Sequence, residues 1–193
     1  VRVDETPILE DVPHFGRPAG ELVEFHVRPA STASVRAGDS LRFTAFGVDS
    51  AGNRRDVTPT WELVSDTDLG HVKTNGLFIA NRVGTGRVTA RLSENQLPAQ
   101  HIVVEVSPNR PAFARLEPAE IIVEGPAFGD VLLELTAFDQ RGNRVNLPTD
   151  TVTWQVFGNI GTVLPNPAAG ASVFNPAPWA LSDAIGEIIA TVP

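Results

Sequence analysis

The feature that most constrains this chain is a pattern that occurs twice. Gly38-Asp39 leads into an alternating apolar segment, Leu41, Phe43, Ala45. That segment runs through Thr44-Ala45-Phe46 to Asp49-Ser50-Ala51-Gly52-Asn53-Arg54 and on to Trp61. Gly129-Asp130 likewise leads into Leu133, Leu135, Ala137, then Thr136-Ala137-Phe138, Asp139-Gln140-Arg141-Gly142-Asn143-Arg144 and Trp154. Farther on, Gly70-His71-Val72 answers Gly161-Thr162-Val163, and Gly86-Arg87-Val88-Thr89-Ala90 answers Gly186-Glu187-Ile188-Ile189-Ala190. The spacing between equivalents shifts by a few residues, always where a loop is expected, as in a duplicated domain with loop insertions.

Each copy reads as strands. Val23, Phe25 and Val27 alternate with Glu24 and His26, the period of a half-buried strand. The same alternation recurs in Trp61 and Leu63, in Val88, Ala90 and Leu92, and in Ile102, Val104 and Val106. Turn formers separate these runs, and Asp49–Asn53 and Asp139–Asn143 are expected as hairpin connections because Gly and Asn tolerate positive φ. Sixteen Gly and sixteen Pro, with no sustained helical period, predict an all-β fold of two tandem immunoglobulin-like antiparallel β-sandwiches. The expected division is an N-terminal arm or linker over 1–20, one sandwich over 21–107, a linker over 108–111 stiffened by Pro108 and Pro111, and an incomplete sandwich over 112–193.

The Gly-Asp lead, the strand ending in Thr-Ala-Phe, the Asp-x-x-Gly-Asn turn, the Thr-x-Trp strand, and then Asn75-Gly76-Leu77-Phe78-Ile79-Ala80 and Gly84-Thr85-Gly86-Arg87-Val88-Thr89-Ala90 carry a resemblance. Together they resemble the bacterial immunoglobulin-like (Big) domains of invasin- and intimin-type surface proteins. The match is good over 21–107 and weaker over 112–193, where Phe174-Asn175-Pro176 and the Pro-rich run to Trp179 depart from it. The resemblance implies a spacer, stalk or adhesive unit at the cell surface or outside the cell; its motifs are structural and specify fold rather than activity.

The two copies end differently. The first continues into Gln100–Val106, a clear final strand, whereas the second has only Thr191, Val192 and Pro193 after Ala190. Val1-Arg2-Val3-Asp4 resembles the end of such a strand. One expectation is a window on a longer string of domains, cut one strand out of phase. The other is strand donation, with Val1, Arg2, Val3 and Asp4 of one copy completing the second sandwich of the next, head to tail. The first is preferred, because a donor strand usually needs about five or six residues.

Chemistry has few candidates. A net charge of -8 argues against a phosphate-tracking nucleic-acid binder, and no apolar run approaches the length of about 18 residues that spans a membrane. The absence of Cys removes thiol nucleophiles, thiolate metal sites and disulfides. His14, His26, His71 and His101 lack any ligand spacing, and no nucleophile elbow or phosphate loop occurs, so no catalytic or cofactor residue is assigned. Calcium is the one cofactor considered, through Asp39, Asp49, Asp130, Asp139 and Glu124; the preferred role of these aspartates is to cap their turns. Asp66, Thr67 and Asp68 read as a polar loop. Trp61 and Trp154 are expected in the core, and Phe46 and Phe138 are expected to be turned inward by a bulge. Trp179 has no counterpart in the first copy and is the aromatic singled out for a partner contact, with protein favoured and carbohydrate the other option.

The expected function is therefore non-catalytic: a structural or adhesive module of a larger bacterial assembly. A filament subunit and the accessory domains of a secreted polysaccharide-active enzyme are the alternatives.

Overall fold

The computed structural model describes residues 20–93, 97–123, 129–148, 151–165, 171–177 and 184–192, and no described residue is helical. The first repeat contains β1 (Leu22–Arg28), β2 (Thr32–Arg36), β3 (Ser40–Arg42), β4 (Thr44–Asp49), β5 (Arg54–Asp56), β6 (Thr60–Val64), β7 (Gly70–Val72), β8 (Leu77–Ala80), β9 (Gly84–Arg91) and β10 (Gln100–Ser107). One layer holds the sheets β1-β4-β5 and β3-β8-β7, joined because β3 and β4 are nearly one strand, and the other holds β2-β10-β9-β6. All pairings are antiparallel except β2 with β10, which is parallel. Alternate residues of facing strands meet in a core of Phe25, Val27, Phe43, Leu69, Phe78, Val88, Ile102 and Val104, among others. Trp61 lies half-buried against it and stacks on Phe43 with centroids 5.6 Å apart.

Two expectations about facing fail, each for a local reason. A register shift between Leu22 and Glu24 turns Val23 outward, 48% exposed. Leu22 then covers Gly47, where a Cβ would stand 2.2 Å from Leu22 Cδ1. Phe46, expected to be bulged inward, keeps strict alternation along β4 and lies on the outer face, half-buried. It stacks on its cross-strand partner His26 at 5.1 Å, with the Arg54 guanidinium 3.8 Å from the ring centroid. Phe138 repeats this on the second sandwich, stacked on its partner Phe113 at 5.3 Å. Cross-strand stacking stabilises both pairs outside the core, and a cation over the ring adds to it at Phe46.

The second repeat contains β11 (Phe113–Glu117), β12 (Val131–Phe138), β13 (Arg144–Val145), β14 (Thr153–Phe157), β15 (Gly161–Pro165), β16 (Ala171–Pro176) and β17 (Glu187–Thr191). Among the described residues one layer is β11-β12-β16-β15 with β13 on β12, and the other is β14-β17. Its core is smaller, with Leu135, Ala137 and Leu147 buried and Trp154, Ala190 and Val192 packed around them. The counterpart of β17 in the first repeat, β9, lies between β6 and β10; among the described residues β17 pairs with β14 only. Ile122 and Ile185, 69% and 94% exposed, lie in this thinner sandwich.

Candidate functional site

The repeated Asp-x-x-Gly-Asn turn builds the most elaborate polar arrangement among the described residues. In the first copy Asp49 Oδ1 accepts hydrogen bonds from the N–H groups of Ala51 (3.0 Å) and Asn53 (2.8 Å). Its Oδ2 accepts from Asn53 Nδ2 and from Gly20 N, both at 3.0 Å. In the second, Asp139 Oδ1 accepts from Arg141 N and Asn143 N, both at 2.9 Å, while Oδ2 accepts from Asn143 Nδ2 and Asn109 N, both at 3.0 Å. The left-handed residue each turn needs is Gly52 (φ 82°) or Gly142 (φ 77°). Both carboxylates are almost wholly enclosed, 1% and 0% exposed, so their charge is tolerable only because N–H donors surround it.

The acidities follow from those donors. The side-chain amide of Asn53 lowers the Asp49 pKa most; burial opposes it, and the N–H groups of Asn53, Gly20 and Ala51 bring it from 3.8 to about 2. Burial is the largest influence on Asp139 and pushes its pKa upward, but the hydrogen bonds from Asn109, Asn143 and Arg141 outweigh it and hold the pKa below 3.8. The turn-capping role expected of both residues is thus what their contacts show. Each also grips the chain entering its sandwich, at Gly20 and at Asn109.

At the second turn this grip extends into the first sandwich. Asn109 donates its side-chain amide to Ala37 O at 2.9 Å while its N–H goes to Asp139, so one residue ties both repeats. Val83 N donates to Asn143 Oδ1 at 3.1 Å, and Asn143 Nδ2 makes a longer contact with Asn81 O at 3.5 Å. Arg141 Nη1 donates to Asn81 Oδ1 at 2.7 Å, and its Nε lies 3.8 Å from where a Cβ on Gly38 would stand. Asn81 in turn donates its amide to the Asp68 carboxylate. The junction therefore joins the end of β2, the loop after β8, the linker and the turn after β12.

Other expected site residues are dispersed. Val1, Arg2, Val3, Asp4, His14, Glu124 and Trp179 lie outside the described residues. His26 pairs with Glu24 at 3.0 Å, and His101 Nδ1 lies 3.1 Å from Thr89 Oγ1. Asp130 accepts from Asn175 Nδ2 at 2.8 Å. Among the described residues no three His, Asp or Glu side chains gather into a metal-binding group, and no helix is long and apolar enough to cross a membrane. Trp154 packs half-buried against the second core.

Sequence reasoning placed the two turns but missed Asn81, Asn109 and Arg141 as junction residues. A signal was present: Arg141 stands where the first turn has Ala51, a difference inside an otherwise repeated motif.

No protein-family description matches the chain, and no curated protein matches it. Several solved structures are similar. The surface layer protein SbsC, domains 1–6, matches at 19% identity and a TM-score of 0.35 over 80% of this chain and 21% of that one. The Escherichia coli adhesin FdeC matches at 18% identity and a TM-score of 0.44 over 81% of this chain and 55% of that one. The β-glucuronidase of Parabacteroides merdae matches at 10% identity and a TM-score of 0.24, over 88% and 24%. The chain thus spans about half or less of the length of each of these proteins.

Proposed function

We propose that the chain is a non-catalytic spacer or stalk, two Ig-like sandwiches held in a set orientation within a larger protein at the bacterial cell surface or outside the cell. The observation that carries this is Asn109, whose backbone and side chain bond to opposite repeats, to Asp139 and to Ala37. Tandem domains move relative to one another unless their interface restrains them. Here the restraint is built from the repeat's own turn, which makes stiffness a property of the tandem rather than of proline in the linker. The resemblance to Big domains supports the surface placement. Residual dipolar couplings test the mechanical part: amides of the two sandwiches should share one alignment tensor, and separate tensors would overturn it. Accessibility of the parent protein to antibody on intact cells tests the placement.

A second reading is favoured by β17, which among the described residues pairs with β14 on one edge and with no strand on the other. A strand with apolar residues at alternate positions would pair there as β10 pairs with β9, where Ile102, Val104 and Val106 are buried. Val1–Asp4 of another copy would supply it and generate head-to-tail polymers. Sedimentation velocity before and after deletion of residues 1–4 separates the readings: polymers that disappear on deletion support donation, and a monomer throughout rejects it.

A further inference from the structure

We propose that the pole of the first sandwich is a guanidinium receptor, in which Asp68 orients Asn81 to read Arg141 and so selects which sandwich can follow. This rests on the stiff-spacer reading and names the chemistry that specifies its partner. An amide side chain presents an oxygen on one side and an NH2 group on the other, and only the oxygen can accept from an arginine. Asn81 donates its NH2 to the Asp68 carboxylate, so its Oδ1 faces the opposite way, where Arg141 Nη1 lies at 2.7 Å. Asp68 thereby settles the amide's orientation, and its negative charge reaches the guanidinium through a polarised hydrogen-bond chain. Gly38 (φ 90°) provides a side-chain-free surface beneath the arginine, with space for Nε at 3.8 Å from a would-be Cβ.

The receptor discriminates between the two turns of this chain. Asp139-Gln140-Arg141-Gly142-Asn143 carries the arginine; Asp49-Ser50-Ala51-Gly52-Asn53 has alanine in its place. The pole of the second sandwich differs too: Ala177 N donates to Ile160 O at 2.9 Å just as Asn81 N donates to Leu69 O at 2.8 Å, so Ala177 occupies the place of Asn81. The Asp and Asn of the turn are common to both copies and build its shape, whereas Arg141 and Asn81 have alanine, Ala51 and Ala177, at the equivalent positions of the other copy. The partner that fits this surface is a sandwich whose turn reads Asp-x-Arg-Gly-Asn.

The test uses the whole chain, which contains no cysteine, so spin labels go in cleanly at Glu62→Cys and Glu134→Cys, one on each sandwich. Double electron–electron resonance then reports the distribution of the inter-label distance. Asp68 and Arg141 lie on the exposed rim, so their substitution leaves the cores intact. Arg141→Ala should raise the undocked population by roughly threefold to tenfold, the net worth of one solvent-exposed hydrogen bond. Asp68→Ala should do much the same, and the double variant should be no worse than Arg141→Ala, because Asp68 acts through the arginine. Arg141→Lys, a point charge without the planar fork, should recover only part of the docking. If Arg141→Ala or Asp68→Ala leaves the undocked fraction unchanged, the receptor is refuted while the stiff spacer stands. If the unsubstituted chain is itself broadly distributed, both fall.

Discussion

Replacing Asp139 by alanine should cost both stability and interdomain order, and the cost can be worked from its contacts. The carboxylate accepts hydrogen bonds from four groups: the N–H of Asn109, Arg141 and Asn143, and the side-chain amide of Asn143. Asn143 is only 8% exposed, so its two donors would lose their acceptor with little water to replace it. Each donor stranded in that way costs about 1–3 kcal/mol. The N–H of Arg141, on an exposed turn residue, recovers most of its loss to solvent. Allowing for this, Asp139→Ala should destabilise the second sandwich by about 3 kcal/mol. Asp139→Asn should cost about half as much, since one oxygen still accepts while the new NH2 group faces other donors. Urea unfolding followed by circular dichroism measures the energy, and hydrogen exchange locates it. Amides of Asn109, Arg141 and Asn143 should lose protection, and the loss at Asn109 should accompany a looser junction. Asp49→Ala removes the matching carboxylate from the first turn and should leave the junction unchanged. A loss below about 0.5 kcal/mol for Asp139→Ala, with Asn109 and Asn143 still protected, would show that this carboxylate does not hold the turn.

Acid should weaken the first turn in a defined window. The folded pKa of Asp49, about 2, lies below its ordinary value of 3.8, so its contribution is whole above the ordinary value. That contribution should disappear as pH falls through the folded value, and a pH titration of urea midpoints should show a smaller slope below pH 4 for Asp49→Asn. Gly70 and Gly161 share φ +147°, and a Cβ on them would stand 2.1 Å from Ile79 O and 2.2 Å from Asn175 O, both backbone atoms. Either Gly→Ala change should cost roughly 2–4 kcal/mol, and a loss under about 1 kcal/mol would show that β7 or β15 can move aside. Phe43, 1% exposed, should cost about 3–5 kcal/mol as Phe43→Ala, whereas Phe46→Ala on the outer face should cost near 1 kcal/mol. Equal losses for the two would mean that Phe46 is a core residue after all.

The fold was legible because its signals are local. Alternation in Val88–Leu92 and Ile102–Val106, and Gly-Asn turns at fixed places, each state a strand or hairpin within a few residues. Where the reading of facing misled, the cause was a neighbour in another strand: Leu22 over Gly47 displaced Val23 from its alternation, and His26 with Arg54 made an outer seat for Phe46 in place of the expected bulge. Neither partner is visible from spacing alone. Asp139 was legible as a turn cap for the same local reason, since its acceptors serve Arg141 and Asn143, two and four residues on.

The junction was not legible because it depends on contacts between residues tens of positions apart, Asn109 with Ala37 and Arg141 with Asn81. A capped turn needs only one carboxylate oxygen for its own backbone; the second oxygen is what the fold directs toward the incoming chain. In both repeats that oxygen takes an N–H from the residue leading into the sandwich, at Gly20 and at Asn109. A local folding device therefore doubles as an attachment point, and duplication copied both uses together. What duplication does not copy is an address, because identical copies would dock indiscriminately. The divergence of Arg141 from Ala51, and of Asn81 from Ala177, lies on the docking surface while the Asp and Asn that shape the turn are kept in both copies. Divergence at residues that reach across, such as Arg141 and Asn81, is what a tandem needs if its order, and not merely its folding, is to be encoded.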